Sequence, residues 1–435
     1  MANITIYEFD VLVATAPGSS NTVGLHTVPP QVFAWLETQA LRIAGMGEAA
    51  WLRLSQRQGQ KAVQVTSFVG VIRAPDGYQI EVLPKVGKAI GNGEARKLLI
   101  GMLRCLGEFR HIQTDSANVA ATHTPLLEVF IGEFLRTAEY LVKRGLRNDY
   151  TAQQDNVFAL RGKLQMAGHL QRNLCRHDRF FVAFDEFSSD RPENRLVHAA
   201  LRRALAWTNS QHNQQRAREL CFVFTEVPEP LHPATDLQRA RLDRGMAHYA
   251  GALGWARLIL QEESPLTGIG GHQSPSLLFP MEAVFEAFVA KHLARQLVLN
   301  CTLRTQARSC SLVKHIAQDW FRLKPDVLVQ IGNRNRLVLD TKWKLICDTK
   351  ANSVDKYDLS QGDFYQLYAY GQNYLDGQGD VVLIYPKTDA FSKALPVFEF
   401  PKAPGLRLWV LPFCLQSKCL LLPPCGSLDA YFPNV

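Results

Sequence analysis

The spacing of hydrophobic and polar positions changes along the chain, and each change marks an element. Near the start, Ile4-Thr-Ile-Tyr7 and Asp10-Val-Leu-Val-Ala14 are short apolar runs that read as strands, followed by a Pro17-Gly-Ser-Ser-Asn21 loop. Pro29 to Ile43 has helical spacing, with Val32, Phe33, Leu36 and Leu41 as its apolar stripe. Val63 to Arg73 and Tyr78 to Lys85 form a strand pair around the turn Ala74-Pro-Asp-Gly77, and Ala95 to Leu106 returns to helical spacing. The middle of the chain is mainly helical. Leu126 to Arg144 carries a wide stripe of Leu127, Phe130, Ile131, Phe134, Leu135, Ala138 and Leu141. Phe180 to Phe187 reads as a buried strand. A helix then runs to about Asn209, with Ser189 or Asp190 as its cap and Pro192 and Glu193 in its first turn.

Gly268-Ile-Gly-Gly-His-Gln-Ser-Pro-Ser276 has the composition of a linker. After it, Met281 to Leu297 is amphipathic, with Val284, Phe285, Phe288, Val289 and Leu293 on one side. Two β-branched runs follow, Leu323 to Ile331 and Leu337 to Lys344, joined by Gly332-Asn-Arg-Asn335, so a hairpin is expected. Asp348 to Leu359 is polar and reads as a loop. Asp363 to Leu375 is a helix dense in aromatics, and Asp380 to Pro386 and Leu406 to Phe413 are strands. The elements imply a mixed α/β and α+β multidomain chain. An N-terminal α+β unit spans 1–115, a mainly helical middle region 116–265, and a C-terminal α/β domain 266–435.

At 435 residues, 47% hydrophobic and 20% charged, the chain is long enough for two or three folded domains. Its net charge of +8 is compatible with a nucleic-acid partner without requiring one. Basic residues recur in the middle region: Lys143, Arg144, Arg147, Arg161, Lys163, Arg172, Arg176, Arg179, Arg195, Arg202 and Arg203. They suit a solvated helical surface or contact with phosphates. The nine cysteines are scattered and form no C-x-x-C pair, which fits reduced thiols; Cys414, Cys419 and Cys425 cluster among Leu and Pro, as packing residues do. The start lacks the basic-then-apolar pattern of a secretory leader, and no run approaches the ~18 apolar residues of a membrane span. A cytoplasmic protein with no membrane partner is expected.

The chemistry concentrates in the C-terminal hairpin. Strand alternation puts Asp340 and Lys342 on one face, and the hairpin brings Asp326 from its other arm to the same place. Two carboxylates and an ammonium suit metal-assisted phosphodiester hydrolysis. A Mg²⁺ ion takes oxygen ligands, here Asp326, Asp340 and the Thr341 backbone carbonyl. Lys342 would orient or deprotonate the attacking water, or stabilise transition-state charge. Glu286 on the preceding helix is a further candidate acid and equally an ordinary surface glutamate. Gln366 and Tyr370 share a helix face and suit a contact to Lys342 or to a DNA backbone. Gly87-Lys-Ala-Ile-Gly-Asn-Gly93 has the wrong order for a phosphate-binding P-loop, so nucleotide hydrolysis is not expected on this chain.

Pro325-Asp326 and Asp340-Thr341-Lys342 match the signature of PD-(D/E)xK nucleases. The chain as a whole resembles the McrC family, nuclease subunits of McrBC modification-dependent restriction systems. The matching segments are Ile80 to Lys85, Leu160-Arg-Gly-Lys163, Asp185 to Leu196, Val284 to Val289, and Lys324-Pro-Asp326 through Leu339-Asp-Thr-Lys-Trp-Lys344. The resemblance implies a C-terminal PD-(D/E)xK, restriction-endonuclease-like domain and a type IV-like DNA endonuclease subunit. It also implies a separate McrB-like AAA+ GTPase hexamer that binds the GTP and reads the modified base, with the 1–115 unit as the partner-coupling domain that engages the hexamer and stimulates its GTP hydrolysis. Asp326, Asp340 and Lys342 carry over as catalytic positions. Two other readings stay open: a catalytically silent GTPase-activating adaptor, against which the intact Asp326, Asp340 and Lys342 argue, and a RecB-like repair nuclease working with a helicase.

Overall fold

The computed structural model describes residues 3–15, 24–45, 50–57, 59–106, 124–260, 276–424 and 426–432. The expected Pro17–Asn21 loop, the two expected domain boundaries, the Gly268–Pro275 part of the linker, and Cys425 lie outside these residues. The chain divides into two compact units. One joins residues 1–110 and 114–123 with 278–435, and the other holds 111–113 and 124–277.

The N-terminal part of the first unit contains β1 (Asn3–Tyr7), β2 (Val11–Ala14), β3 (Leu25–Val28), α1 (Pro30–Ile43), β4 (Leu52–Arg57), β5 (Gln60–Val65), β6 (Phe68–Arg73), β7 (Gln79–Leu83) and α2 (Asn92–Leu103). The run from Val63 to Arg73, expected as one strand, is two strands in two sheets. β5 joins the order β3-β2-β5-β4, and β6 joins β1 and β7. The break is at Thr66, whose amide donates to the Trp51 carbonyl at 3.1 Å and whose hydroxyl donates to the Ala50 carbonyl at 2.8 Å. The Ala74–Gly77 turn forms as expected, with Gly77 at φ 87°. In α1 the buried stripe is Val32, Phe33, Leu36, Ala40 and Ile43, while Leu41 lies on the open side.

The second unit is built from α3 (Leu126–Arg144), β8 (Asp149–Val157), β9 (Lys163–Leu164), α4 (Met166–Asn173), β10 (Phe180–Ser188), α5 (Pro192–Trp207), α6 (Gln211–Val223), α7 (Pro233–Arg239) and α8 (Ala250–Leu260). The stripe on α3 is buried as its periodicity predicts. Glu128 on the same helix is buried too. It accepts from the Thr208 hydroxyl at 2.6 Å, the Asn209 amide at 2.6 Å and the Asn213 side chain at 2.9 Å, which is how a buried carboxylate is tolerated.

Two expectations fail in this unit. Of β10 only Phe181 and Val182 are buried. Beyond Ala183 it pairs with β8 alone, and its exposed Phe187 rests on exposed Tyr150, the ring centres 5.1 Å apart. Neither Ser189 nor Asp190 caps α5. Arg191 holds the cap position, and the Asp190 carboxylate pairs with Arg195. The basic residues divide between two uses. Arg195 also pairs with Asp236 inside the helical layer, and Arg202 pairs with Glu229 on the exposed surface. Arg161, Arg172 and Arg179 lie over the rings of Phe184, Phe181 and Phe158.

The C-terminal part of the first unit begins with β11 (Ser276–Pro280), which extends the β1-β7-β6 sheet, and α9 (Met281–Leu293). Then come β12 (Cys301–Thr305), β13 (Ser311–His315), β14 (Gln318–Arg322), β15 (Val327–Ile331), β16 (Arg334–Thr341), α10 (Gln361–Tyr374), β17 (Gly379–Pro386), β18 (Phe398–Phe400), β19 (Ala403–Cys414) and β20 (Cys419–Leu420). Seven of these strands form one sheet in the order β12-β15-β16-β17-β19-β18, with β20 paired to β19. β15 and β16 are the expected hairpin, turning at Gly332 with φ 60°. β16, β17 and β19 run parallel.

Alternation along β16 distributes its side chains between two helices. Val338 belongs to the core under α10, with Leu367, Tyr370 and Tyr374. Beyond the strand's end, Trp343 faces the other way and meets Phe285 of α9, the ring centres 5.2 Å apart. Cys414 and Cys419 sit opposite one another across β19 and β20 as free thiols. Among the described residues, no helix is long and apolar enough to cross a membrane.

Candidate active site

The hairpin brings Asp326 and Asp340 together as alternation predicts. Asp326 stands just before β15, and its Oδ2 accepts from both the Thr341 amide and the Thr341 hydroxyl at 2.7 Å. That pair of bonds ties the start of one arm to the end of the other. Asp340 is 1% exposed. Its Oδ2 is buried without a hydrogen bond of regular geometry, although the Lys342 ammonium lies 2.6 Å away. Lys342 Nζ also donates to Gln366 Oε1 at 2.9 Å, and Asp363 lies 3.9 Å off. Gln366 in turn donates to the Tyr370 hydroxyl at 2.8 Å, which donates to the Lys324 carbonyl at 3.0 Å. The chain of bonds therefore closes from β16 through α10 to the start of β15.

Electrostatics in this cluster run against ionisation of Asp340 and Glu286. Burial, and then the neighbouring Asp326, push Asp340 well above the ordinary carboxylate range. Glu286 is raised by burial and then by Asp326, and its Oε1 accepts from Gln306 at 2.9 Å. Burial alone would pull Lys342 down; Asp340 and Asp363 outweigh it and hold the side chain as an ammonium, above the usual lysine range. An acid-rich, partly buried cluster with an under-bonded carboxylate oxygen has the donor chemistry for a hard cation. Among the described residues, no three His, Cys, Asp or Glu side chains form a ready cage.

Several contributors were not singled out from the sequence. Asp363 lies one helical turn before Gln366 and is reached by the Tyr385 hydroxyl at 3.1 Å. The i, i+3 spacing of Asp363 and Gln366 is the signal that could have found it. Gln306, which steadies Glu286, carries no such signal. Nor do Glu8 and Lys85, which grip the residue after Lys342. The Trp343 indole donates to both oxygens of Glu8 at 3.0 Å, and the Trp343 carbonyl accepts from Lys85 Nζ at 2.8 Å. The Lys85 amide donates to Glu8 Oε2 at 2.8 Å, closing the ring of contacts.

Glu8 makes this grip pH-sensitive. Burial raises its pKa to about 7, against the pull of Lys85. A folded-state pKa above the unfolded one means the folded chain holds the proton more tightly, so stability falls as pH rises from about 4.5 to 7. The shift corresponds to about 3 kcal/mol. Glu8→Gln should therefore gain in melting temperature relative to the parent as pH goes from 5 to 8. A difference that stays flat across that range would show that Glu8 does not carry the shift.

Comparison with known proteins places the chain. No curated protein matches it. Solved structures that share its fold include two from Thermococcus gammatolerans. In a half-complex from the tetradecameric assembly of McrB AAA+ hexamers with bound McrC, the match has a TM-score of 0.66 at 19% identity and covers 95% of each chain. In the McrBC complex it has a TM-score of 0.50 at 18% identity, covering 68% of this chain and 88% of that one. The family described as McrBC 5-methylcytosine restriction system component matches residues 63–386, well over half of the sequence and inclusive of Asp326, Asp340 and Lys342. The chain belongs to this family of McrBC restriction-system components.

Proposed function

We propose that the chain is the Mg²⁺-dependent DNA endonuclease subunit of a McrBC-like restriction system, with a PD-(D/E)xK site at the end of the β15–β16 hairpin. The observation that carries this reading is the meeting of Asp326, Asp340 and Lys342 in one partly buried cluster. Asp326, Asp340 and the Thr341 carbonyl would hold the metal. When bound, the ion supplies Lewis acidity toward the scissile phosphate and lowers the pKa of a coordinated water. Lys342, kept as an ammonium between Asp340 and Gln366, orients the attacking water and stabilises charge as it builds on the phosphate. Gln366 positions Lys342, and Glu286 completes the acidic rim. The partner is an AAA+ GTPase hexamer akin to the one in the T. gammatolerans assembly, carrying the GTP and the recognition of modified DNA.

The test is to purify the chain with a McrB-like AAA+ GTPase and supply plasmid DNA with and without 5-methylcytosine. Cleavage is expected only with Mg²⁺, GTP and the methylated plasmid, and EDTA should abolish it. Cleavage that persists in EDTA would remove the metal from the scheme. Absence of cleavage under every condition, with GTP hydrolysis still stimulated, would make the chain an adaptor.

A further inference from the structure

The segment between Gln306 and Asp326 leaves the large sheet at the rim of the acidic cluster and returns to the same place. At its root the Gln306 amide donates to the Asp326 carbonyl at 2.9 Å, while the Gln306 side chain reaches Glu286. The Tyr374 hydroxyl bonds the carbonyls of Ala307 and Leu323 at 3.1 and 3.0 Å, pinning both legs to α10. Beyond the root, β13 and β14 form a ribbon that pairs with no other strand among the described residues. Nine of its ten strand residues are exposed, so almost nothing covers either face.

What the ribbon exposes is apolar and basic. Phe321 is 70% exposed and Ile316, at the turn, 84%. Trp320 is opposite Val313 and is partly covered by the His315 ring, 4.5 Å away between centres. Arg308, Lys314, Arg322 and Lys324 are exposed along the segment, against one acidic residue besides Asp326, namely Asp319. Phe321 is held at φ 56°, a left-handed conformation that bulky side chains avoid and that persists where the surroundings impose it. A lone two-stranded ribbon is marginally stable in water, and exposed apolar surface of this kind marks a binding site.

Resting on the nuclease reading above, we infer that the β13–β14 ribbon grips duplex DNA beside the cleavage site, with Lys314 and Arg322 on backbone phosphates and Phe321 and Ile316 wedged against the bases in a groove. Charge decides between DNA and a second copy of this chain. Two copies of so basic a ribbon repel, whereas a polyanion is attracted. Position decides further: one leg ends at Asp326 and the other at Gln306, which bonds Glu286, so DNA held on the ribbon runs onto the acidic cluster. Apolar wedges flanked by cations are a recurring way to hold and kink a duplex.

Binding of the full chain to a short fluorescein-labelled duplex, followed by anisotropy in EDTA, separates grip from cleavage. Ile316→Ala with Phe321→Ala should weaken binding about 10-fold with an unchanged salt slope. Lys314→Ala with Arg322→Ala should weaken it and lower the slope of log K against log salt by about 1 to 2. Melting temperatures should not move, because these side chains are exposed. In Mg²⁺ the loss should enter through KM, with kcat little changed. If both double variants bind like the parent, the inference fails; so it does if they change only the sedimentation coefficient, which would make the ribbon a contact between copies. Asp340→Ala keeps the two readings apart. Should Asp340→Ala cut normally, the nuclease reading itself falls. Should it bind without cutting while the ribbon variants bind normally, the nuclease reading stands and the ribbon's role does not.

Discussion

Asp340→Ala should lower DNA cleavage by about 10³-fold, equivalent to about 4 kcal/mol of transition-state stabilisation. The expectation rests on where the side chain sits. Asp340 is buried, has one oxygen without a regular hydrogen bond, and neighbours Asp326 and Lys342. Burial and Asp326 oppose its charge, while the largely buried Lys342 ammonium depends on it as a counter-charge. Asp340→Ala leaves that ammonium short of its partner and should therefore also lower the melting temperature. Asp340→Asn keeps the shape and should be as inactive. Stimulation of the partner's GTP hydrolysis should persist in both variants. Cleavage within tenfold of the parent would disprove the site assignment.

The legibility of this site follows from sequence distance. Asp326, Asp340 and Lys342 lie on a hairpin whose period-2 pattern and Gly332 turn set both the strands and their faces. Gln366 and Tyr370 lie on a helix whose i, i+4 spacing sets their shared side, and they do bond one another. What the pattern could not supply is contact between distant elements. Glu8 meets Trp343 across 335 positions of sequence, and nothing local to either residue signals the other. The same limit explains the divided strand at Thr66, because the bonds that break the run come from Ala50 and Trp51. Phe180 to Phe187 misled for a different reason. A run of aromatics reads as a buried strand, but here the far half lies on an open ribbon. Asp190 does not cap α5 because its carboxylate accepts from Arg195, which bonds Asp236 as well.

Lys342→Ala should cost about 10²- to 10³-fold in cleavage, in the range found when a charge-stabilising donor is removed from an active site. Its ammonium sits 2.6 Å from Asp340 and 2.9 Å from Gln366, so it holds one place by two acceptors. Lys342→Arg should not rescue the loss. A planar guanidinium cannot fill the position of a compact point charge between those two oxygens. Gln366→Ala should cost only about 10-fold, because Lys342 keeps its contact with Asp340 and loses only orientation. The variants also differ in how they respond to metal. In the parent chain the ammonium occupies the neighbourhood of the Asp340 oxygen that a cation would approach. Lys342→Ala clears it and leaves two carboxylates with less compensating charge. Mg²⁺ should therefore raise the melting temperature of Lys342→Ala by more than that of the parent, through the extra binding free energy gained by the folded state. A Lys342→Arg protein that cuts at the parental rate would show that any cation suffices there. An alanine variant whose melting temperature ignores Mg²⁺ would show that Asp326 and Asp340 are not the pair that holds the ion.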